Sequence, residues 1–212
     1  MESVPENDVR PATKGPAFEL IGGHPALDLV NTLDWRFRES GPEDFLTSYN
    51  DLVRFVEQSG LLPASRARQL LRSIPEVKAE GVVKAVRELR EAAANTLYAA
   101  VNGKSPQASS MAQLEGFFKE ASGRVQLRWT GSRLAQELPQ STPLPALPLW
   151  MLSLSTFEFM TSEEMHLLRE CRNPECRWLF MDTSKNHTRR WCDMKICGNR
   201  MKARRFKAQH RN

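Results

Sequence analysis

Hydrophobic residues recur at helical spacing through the first 170 residues, one short stretch alternates instead, and all four cysteines fall in the last 42. These three observations predict a mainly α fold: a helical N-terminal domain with a short β-hairpin, then a small C-terminal four-cysteine module of hairpin plus helix, treble-clef-like in order. The divisions expected are 1–15 as a disordered N-terminus, 16–165 as the helical domain and 166–212 as the cysteine module. At 212 residues, 41% hydrophobic, the chain is long enough to bury a sizeable core.

Residues 1–15 carry Pro, Asn, Asp and Lys without periodicity and are expected to fray. Phe18 to Ile21 read as a short extended piece ending at Gly22-Gly23. Pro25 suits the first turn of a helix, on which Ala26, Val30, Leu33 and Phe37 share a face. One histidine near one carboxylate, His24 and Asp28, points to capping of that helix rather than to catalysis. Tyr49, Leu52, Val53 and Val56 form a second stripe stopped by Gly60. Ala67, Leu70, Leu71 and Ile74 form a third, between Pro63 and Pro75. The longest helix is expected from Val77 to Val101, with Val82, Val86, Leu89, Ala93, Leu97 and Ala100 inward and Asn102-Gly103 as its stop. Met111, Leu114 and Phe118 mark a fifth helix. Val125, Leu127 and Trp129 alternate as a half-buried strand, pairing with Leu134–Leu138 across Gly131-Ser132. After the Pro-rich connector STPLPALP, the run LWMLSLSTFEFM is apolar nearly all round and reads as a buried helix. A further helix, SEEMHLLRE, capped by Thr161 or Ser162, is expected to lead into Cys171 with almost no linker.

Four residues separate Cys171 from Cys176, fifteen separate Cys176 from Cys192, and four separate Cys192 from Cys197. Two close pairs joined by a loop supply the four thiolates of a tetrahedral zinc ion, one structural Zn2+ per chain with no open coordination position. The competing readings are two disulfides or four unconnected buried thiols. The N-terminus has no apolar signal segment, so the expected compartment is the cytoplasm, where thiols stay reduced. His187, in the polar run TSKNHT, reads as a solvated turn residue rather than a ligand. Arg177–Asp182 and Thr188–Trp191 are expected as two strands around that turn, with Trp178, Phe180 and Trp191 as a miniature core. A helix should then run from Cys197 to about Arg211.

This closing segment resembles the CGNR zinc finger, named for the tetrapeptide that stands here as Cys197-Gly198-Asn199-Arg200. The likeness extends to Trp178-Leu179-Phe180, Asp182-Thr183-Ser184 and Arg189-Arg190-Trp191-Cys192. In that family a domain called ABATE commonly precedes the finger. The stretch from Gly23 to Thr32, GHPALDLVNT, looks like its opening signature. The resemblance implies a stress-induced transcription regulator.

Charge is divided unevenly. From Cys171 onward there are 12 Lys and Arg against 3 Asp and Glu, a net of +9; the rest has 18 against 22, a net of −4. Such a one-sided patch is the footprint of a polyanion-binding module. Arg200, Arg204, Lys207 and Arg211 recur along one face of the last helix, while Asn199, Ala203, Phe206 and His210 form a neighbouring face suited to packing on the hairpin. The stripe, with Arg189 and Arg190, is the candidate nucleic-acid surface, although Arg200 could instead serve the knuckle itself. The leading reading is a zinc-stabilised regulator binding double-stranded DNA, its helical domain sensing a signal or forming a homodimer. RNA binding and protein interaction are the alternatives. No phosphate-cradling loop, nucleophile elbow or HExxH appears, so no enzyme is expected, and no apolar run is long enough to span a membrane.

Overall fold

The computed structural model describes residues 16–139 and 143–210. The expected frayed N-terminus, part of the Pro-rich connector and Arg211 lie outside the described residues. The backbone is helical with three small antiparallel hairpins. Helix α1 (Pro25–Asn31) is followed by β1 (Leu33–Asp34) and β2 (Glu43–Asp44), then by α2 (Tyr49–Gln58) and α3 (Ala64–Ser73). Next come α4 (Glu80–Val101), α5 (Ala108–Ser122), the hairpin β3 (Gln126–Trp129) and β4 (Leu134–Glu137), and α6 (Leu147–Thr161). The chain closes with β5 (Leu168–Glu170), β6 (Leu179–Met181) and α7 (Asn199–Gln209). Among the described residues no helix is long and apolar enough to cross a membrane.

Local chemistry explains the helix starts. Pro25 opens α1 while His24 Nδ1 accepts from Ala26 N at 3.2 Å. Ser48 and Asp51 form a reciprocal capping box at α2. The apolar α6 is buried on most sides, in keeping with its sequence; Phe157, on its outer side, stacks on Phe118 of α5 with ring centroids 3.7 Å apart.

Two clusters make up the core of the helices, and a third, built on the four cysteines, Trp178 and Phe180, lies inside the cysteine module. The larger joins Leu52, Phe55 and Val56 of α2, Leu70 of α3, Val86 and Leu89 of α4, and Leu152 of α6. The smaller joins Leu27 and Val30 of α1, Ala93 and Leu97 of α4, Phe159 of α6, and three residues from the C-terminal hairpin: Leu168, Leu179 and Met181. The apolar core is therefore continuous from the helices into the cysteine module.

Several expectations are corrected. Helix α1 ends at Asn31, so Leu33 sits in β1 and Phe37 lies beyond, 40% exposed, its ring set edge-on to Tyr98. Residues Glu76–Lys78 form a separate 3-10 turn, leaving Val77 exposed, and Ala100 faces solvent. Strand β3 pairs with β4 as expected, but it is not half-buried: Leu127, Trp129 and Leu134 are 66%, 63% and 61% exposed. SEEMHLLRE is not a helix. Glu163–Leu167 make a 3-10 turn, and Leu168–Glu170 are pulled into β5 by pairing with β6. No strand forms over Thr188–Trp191, where a single backbone bond, Arg172 N to Arg190 O at 3.0 Å, holds the segment.

Candidate metal centre and basic helix

The first cysteine pair lies in the bend between β5 and β6, whose register sets Glu170 against Leu179. Cys171 N donates to Trp178 O at 2.9 Å, and Cys176 N returns to Asn173 O at 3.0 Å, closing the knuckle. Asn173, wholly buried, directs its Nδ2 at Cys197 Sγ, 3.4 Å away. The second pair is closed by Asp193, whose carboxylate accepts from Lys195 N and Ile196 N at 2.6 and 3.0 Å. A π-helical turn, Met194–Gly198, then carries Cys197 back beside Cys192. The wide turn accommodates four intervening residues where a tighter knuckle holds two.

The four buried Sγ atoms lie within 4.8 Å of one another, and Cys176–Cys192 and Cys192–Cys197 are each 3.7 Å apart. A disulfide needs about 2.05 Å, so all four are free. A tetrahedron with Zn–S bonds of about 2.3 Å has edges of about 3.8 Å, so the cage fits that ion. Electrostatics agree. Crowding by Cys171, Cys192 and Cys197 drives the Cys176 thiol far above its ordinary range, so the cage resists ionising while it holds no cation. Four thiolates together need a cation at their centre.

The tetrapeptide Cys197-Gly198-Asn199-Arg200 has a physical reading at each place. Cys197 is a ligand. A Cβ at Gly198 would collide with the Met194 side chain and crowd the Trp191 ring at 3.2 Å. Asn199 Nδ2 bonds back to Lys195 O at 3.3 Å. The Arg200 guanidinium lies 4.7 Å from the Trp35 ring centroid, a cation–π contact tying α7 to the β1 turn.

The stretch from Gly22 to Asn31 fastens the finger to the helices. The amide of Asn31 behaves like a residue of a third strand: Nδ2 donates to Leu179 O at 2.9 Å and Oδ1 accepts from Leu179 N at 3.0 Å. Met181 N donates to Gly22 O at 2.8 Å, and Gly22 N donates to Asp28 Oδ1 at 2.7 Å. A Cβ on Gly22 would come within 2.8 Å of that carboxylate oxygen and 2.9 Å of Leu27 Cβ, so only glycine fits. Asp28 thus clamps Gly22, while helix capping falls to His24. Burial, partly offset by the Gly22 N–H, pushes the Asp28 carboxyl up to about 6. Trp178 Nε1 adds a bond to Asp34 Oδ1 at 2.7 Å, and Tyr98 Oη donates to Arg177 O at 2.9 Å.

The described residues of the predicted contact set differ in their surroundings. Helix α7 buries none of its residues, and Phe206 is 62% exposed, stacked on His210 with centroids 4.0 Å apart. The expected packing of Asn199, Ala203, Phe206 and His210 on the hairpin is therefore absent; the helix projects from the cysteine cage and reaches the body at its first turn. Arg204 Nη2 pairs with Glu175 at 2.6 Å, and Lys207 is exposed. Arg189 lies over Phe180 and donates to the Trp191 and Cys192 carbonyls, a structural role, while Arg190 sits 5.7 Å from the Trp191 ring centroid. His187, at φ 48°, is the turn residue expected, its Nδ1 2.8 Å from Asp182 O.

Sequence reasoning gave no individual role to Asn31, Asn173 or Asp182. Asp182 is fully buried and holds the following loop through Ser184 N at 3.1 Å and Arg189 N at 2.8 Å. Burial raises its carboxyl, but these bonds and that of the Ser184 hydroxyl bring it below the ordinary range. The spacing Asp-x-Ser is the one signal that could have marked it, as an Asx turn.

Two family models match the chain, one after the other. The ABATE profile, described as "Putative stress-induced transcription regulator", matches residues 23–163. The CGNR zinc finger profile matches residues 168–210. No curated protein matches the chain.

Proposed function

We propose, from the premise that the chain belongs to the ABATE family and closes in a CGNR zinc finger, that it is a zinc-stabilised regulator binding double-stranded DNA. The observation that carries this reading is α7. Five of its residues are basic (Arg200, Lys202, Arg204, Arg205, Lys207), none is acidic, and none is buried. A helix that contributes nothing to the core, mounted on a closed four-thiolate cage, is shaped for a partner outside the chain. Its polyanionic complement is a phosphate backbone, and its diameter suits a major groove.

In this reading the metal is one structural zinc per chain, held by Cys171, Cys176, Cys192 and Cys197; when bound it supplies a rigid, closed coordination shell and no reactive position. The residues do the rest. Asn173 and Asp193 set the cage, Arg200 on Trp35 fixes where α7 departs, and Asn31 and Gly22 lock the cage to α1. The helical domain then serves to sense a signal or to form a homodimer, in the cytoplasm, with no catalytic step. Arg204 would exchange Glu175 for phosphate on binding.

The exposed Phe206–His210 stack favours a second reading, in which single-stranded RNA is bound by base stacking. Binding of the zinc-loaded protein to duplex DNA, single-stranded RNA and a neutral polymer across a salt series separates the two. A steep negative salt slope on duplex DNA is expected. Equal, salt-independent binding to all three would overturn both.

A further inference from the structure

A second basic concavity lies on the finger, built from residues other than those of α7. A cleft of about 370 Å³ opens between the C-terminal end of α4 and the first knuckle, and its walls carry Arg169, Arg172, Arg189, Arg190 and His187. Glu170 is the one acidic residue among the described ones that line it, and Arg177, outside the cleft, takes its carboxylate. Arg169 Nη1 donates to the His166 and Leu168 carbonyls at 2.7 and 2.8 Å, and Arg189 is likewise held by carbonyls. Carbonyls orient a guanidinium without neutralising it. Among the described residues neither Arg172 nor Arg190 has a carboxylate partner. The backbone bond from Arg172 N to Arg190 O brings these two side chains out of adjacent segments.

Nearby negative charge does not absorb this set. A zinc tetrathiolate is formally two negative, Asp182, which accepts from Arg189 N, adds one, and the end of α4 about half, so four guanidiniums keep a small excess of positive charge. We infer that the cleft is a phosphate-binding site, in which Arg172 and Arg190 grip the anion and Arg169 supplies a fixed positive wall. Guanidinium forks match phosphate oxygens in pairs, which favours phosphate over a spherical anion. The phosphate belongs either to a nucleic-acid backbone or to a free phosphate or phosphorylated small molecule. The site goes beyond the α7 reading and does not depend on it.

The test uses the full-length, zinc-loaded protein, with calorimetric titration of inorganic phosphate against chloride at matched ionic strength, beside duplex DNA binding. Arg172→Gln and Arg190→Gln are surface changes; retained zinc and ellipticity check their folding. Each is expected to weaken phosphate binding about tenfold, while Lys84→Gln, an exposed charge in the first half of α4, leaves it unchanged. If duplex affinity also falls, with the salt slope reduced by about one, the phosphate is a backbone phosphate; if duplex affinity holds, the source is a free phosphate. Phosphate binding no tighter than chloride, or equal in the wild type and both variants, overturns the inference. A protein that holds phosphate but no duplex keeps this site and sinks the DNA reading; the reverse pattern does the opposite.

Discussion

Replacing Asn31 by alanine isolates the fastening between the helices and the finger. Asn31 is 3% exposed and Leu179 fully buried, and both bonds between them run at 2.9 and 3.0 Å. Truncation leaves the Leu179 N–H and C=O without partners in a site closed to water. Each orphaned group costs about 1–3 kcal/mol, so the expected loss is about 2–6 kcal/mol, a large share of the roughly 5–15 kcal/mol that holds a domain together. Urea unfolding of the cobalt-substituted protein reads it, with thiolate-to-cobalt absorption reporting the cage and far-ultraviolet ellipticity reporting the helices. Because Leu179 and Met181 share a core with Leu27 and Phe159, both midpoints should fall together. Asn31→Asp keeps the acceptor but faces a carboxylate toward the Leu179 carbonyl, so it should lose as much at neutral pH and recover part of it in acid. A loss below about 0.5 kcal/mol in Asn31→Ala, or a cage midpoint that stays put while the helices melt earlier, refutes the reasoning.

Other expected outcomes concern the cage, the basic helix and Asp28. Cys176→Ser or Cys192→Ser should abolish stoichiometric zinc binding, checked by metal analysis after dialysis; full occupancy in either would mean the ligands are misassigned. Arg204→Ala and Lys207→Ala should each reduce the salt slope of duplex binding by about one, with Lys202→Ala and Arg205→Ala, off the stripe, mattering less. Glu175→Gln, which frees Arg204 from its 2.6 Å ion pair, should tighten duplex binding a few-fold; unchanged affinity would exclude Arg204 as a contact. Asp28 titrates near 6 in the fold against an ordinary 3.8, so the folded state disfavours its charge. Its contribution is then best below about pH 4, declines as pH rises to about 6, and is flat above. The gap of about two pH units is worth about 3 kcal/mol. Asp28→Asn, which keeps the acceptor for Gly22, should remove that slope and be at least as stable at pH 7.5.

Much of this was legible in the chain. Cysteine spacing alone identified the cage, because a metal asks only for donors at short intervals. The stripes on α2, α3 and α4 were visible because a helix registers its buried face locally. Strand β5 was not, since Leu168–Glu170 follow strong helix formers and become extended only by pairing with β6, across a knuckle whose shape the sequence does not display. Leu127 and Trp129 alternate as a half-buried strand would, yet both stay largely exposed among the described residues; alternation reports a face, not its cover. Asn31 is one amide in an apolar helix, and its partner lies 148 positions away. The tail of α7 misled in the opposite sense, for a face that could pack on the hairpin finds no surface there.

The distance between Asn31 and Leu179 also has a temporal side. A ribosome adding about 5–20 residues per second releases α1 roughly 7–30 s before it makes the strand that completes it. Through that interval Leu27 and Val30 lack Leu179 and Met181, and the Asn31 amide has only water to bond. Helix α1, the earliest among the described residues, is thus among the last to be sealed. Nascent chains stalled before Leu179 should remain protease-sensitive at α1, and they should engage chaperones that complete chains no longer need.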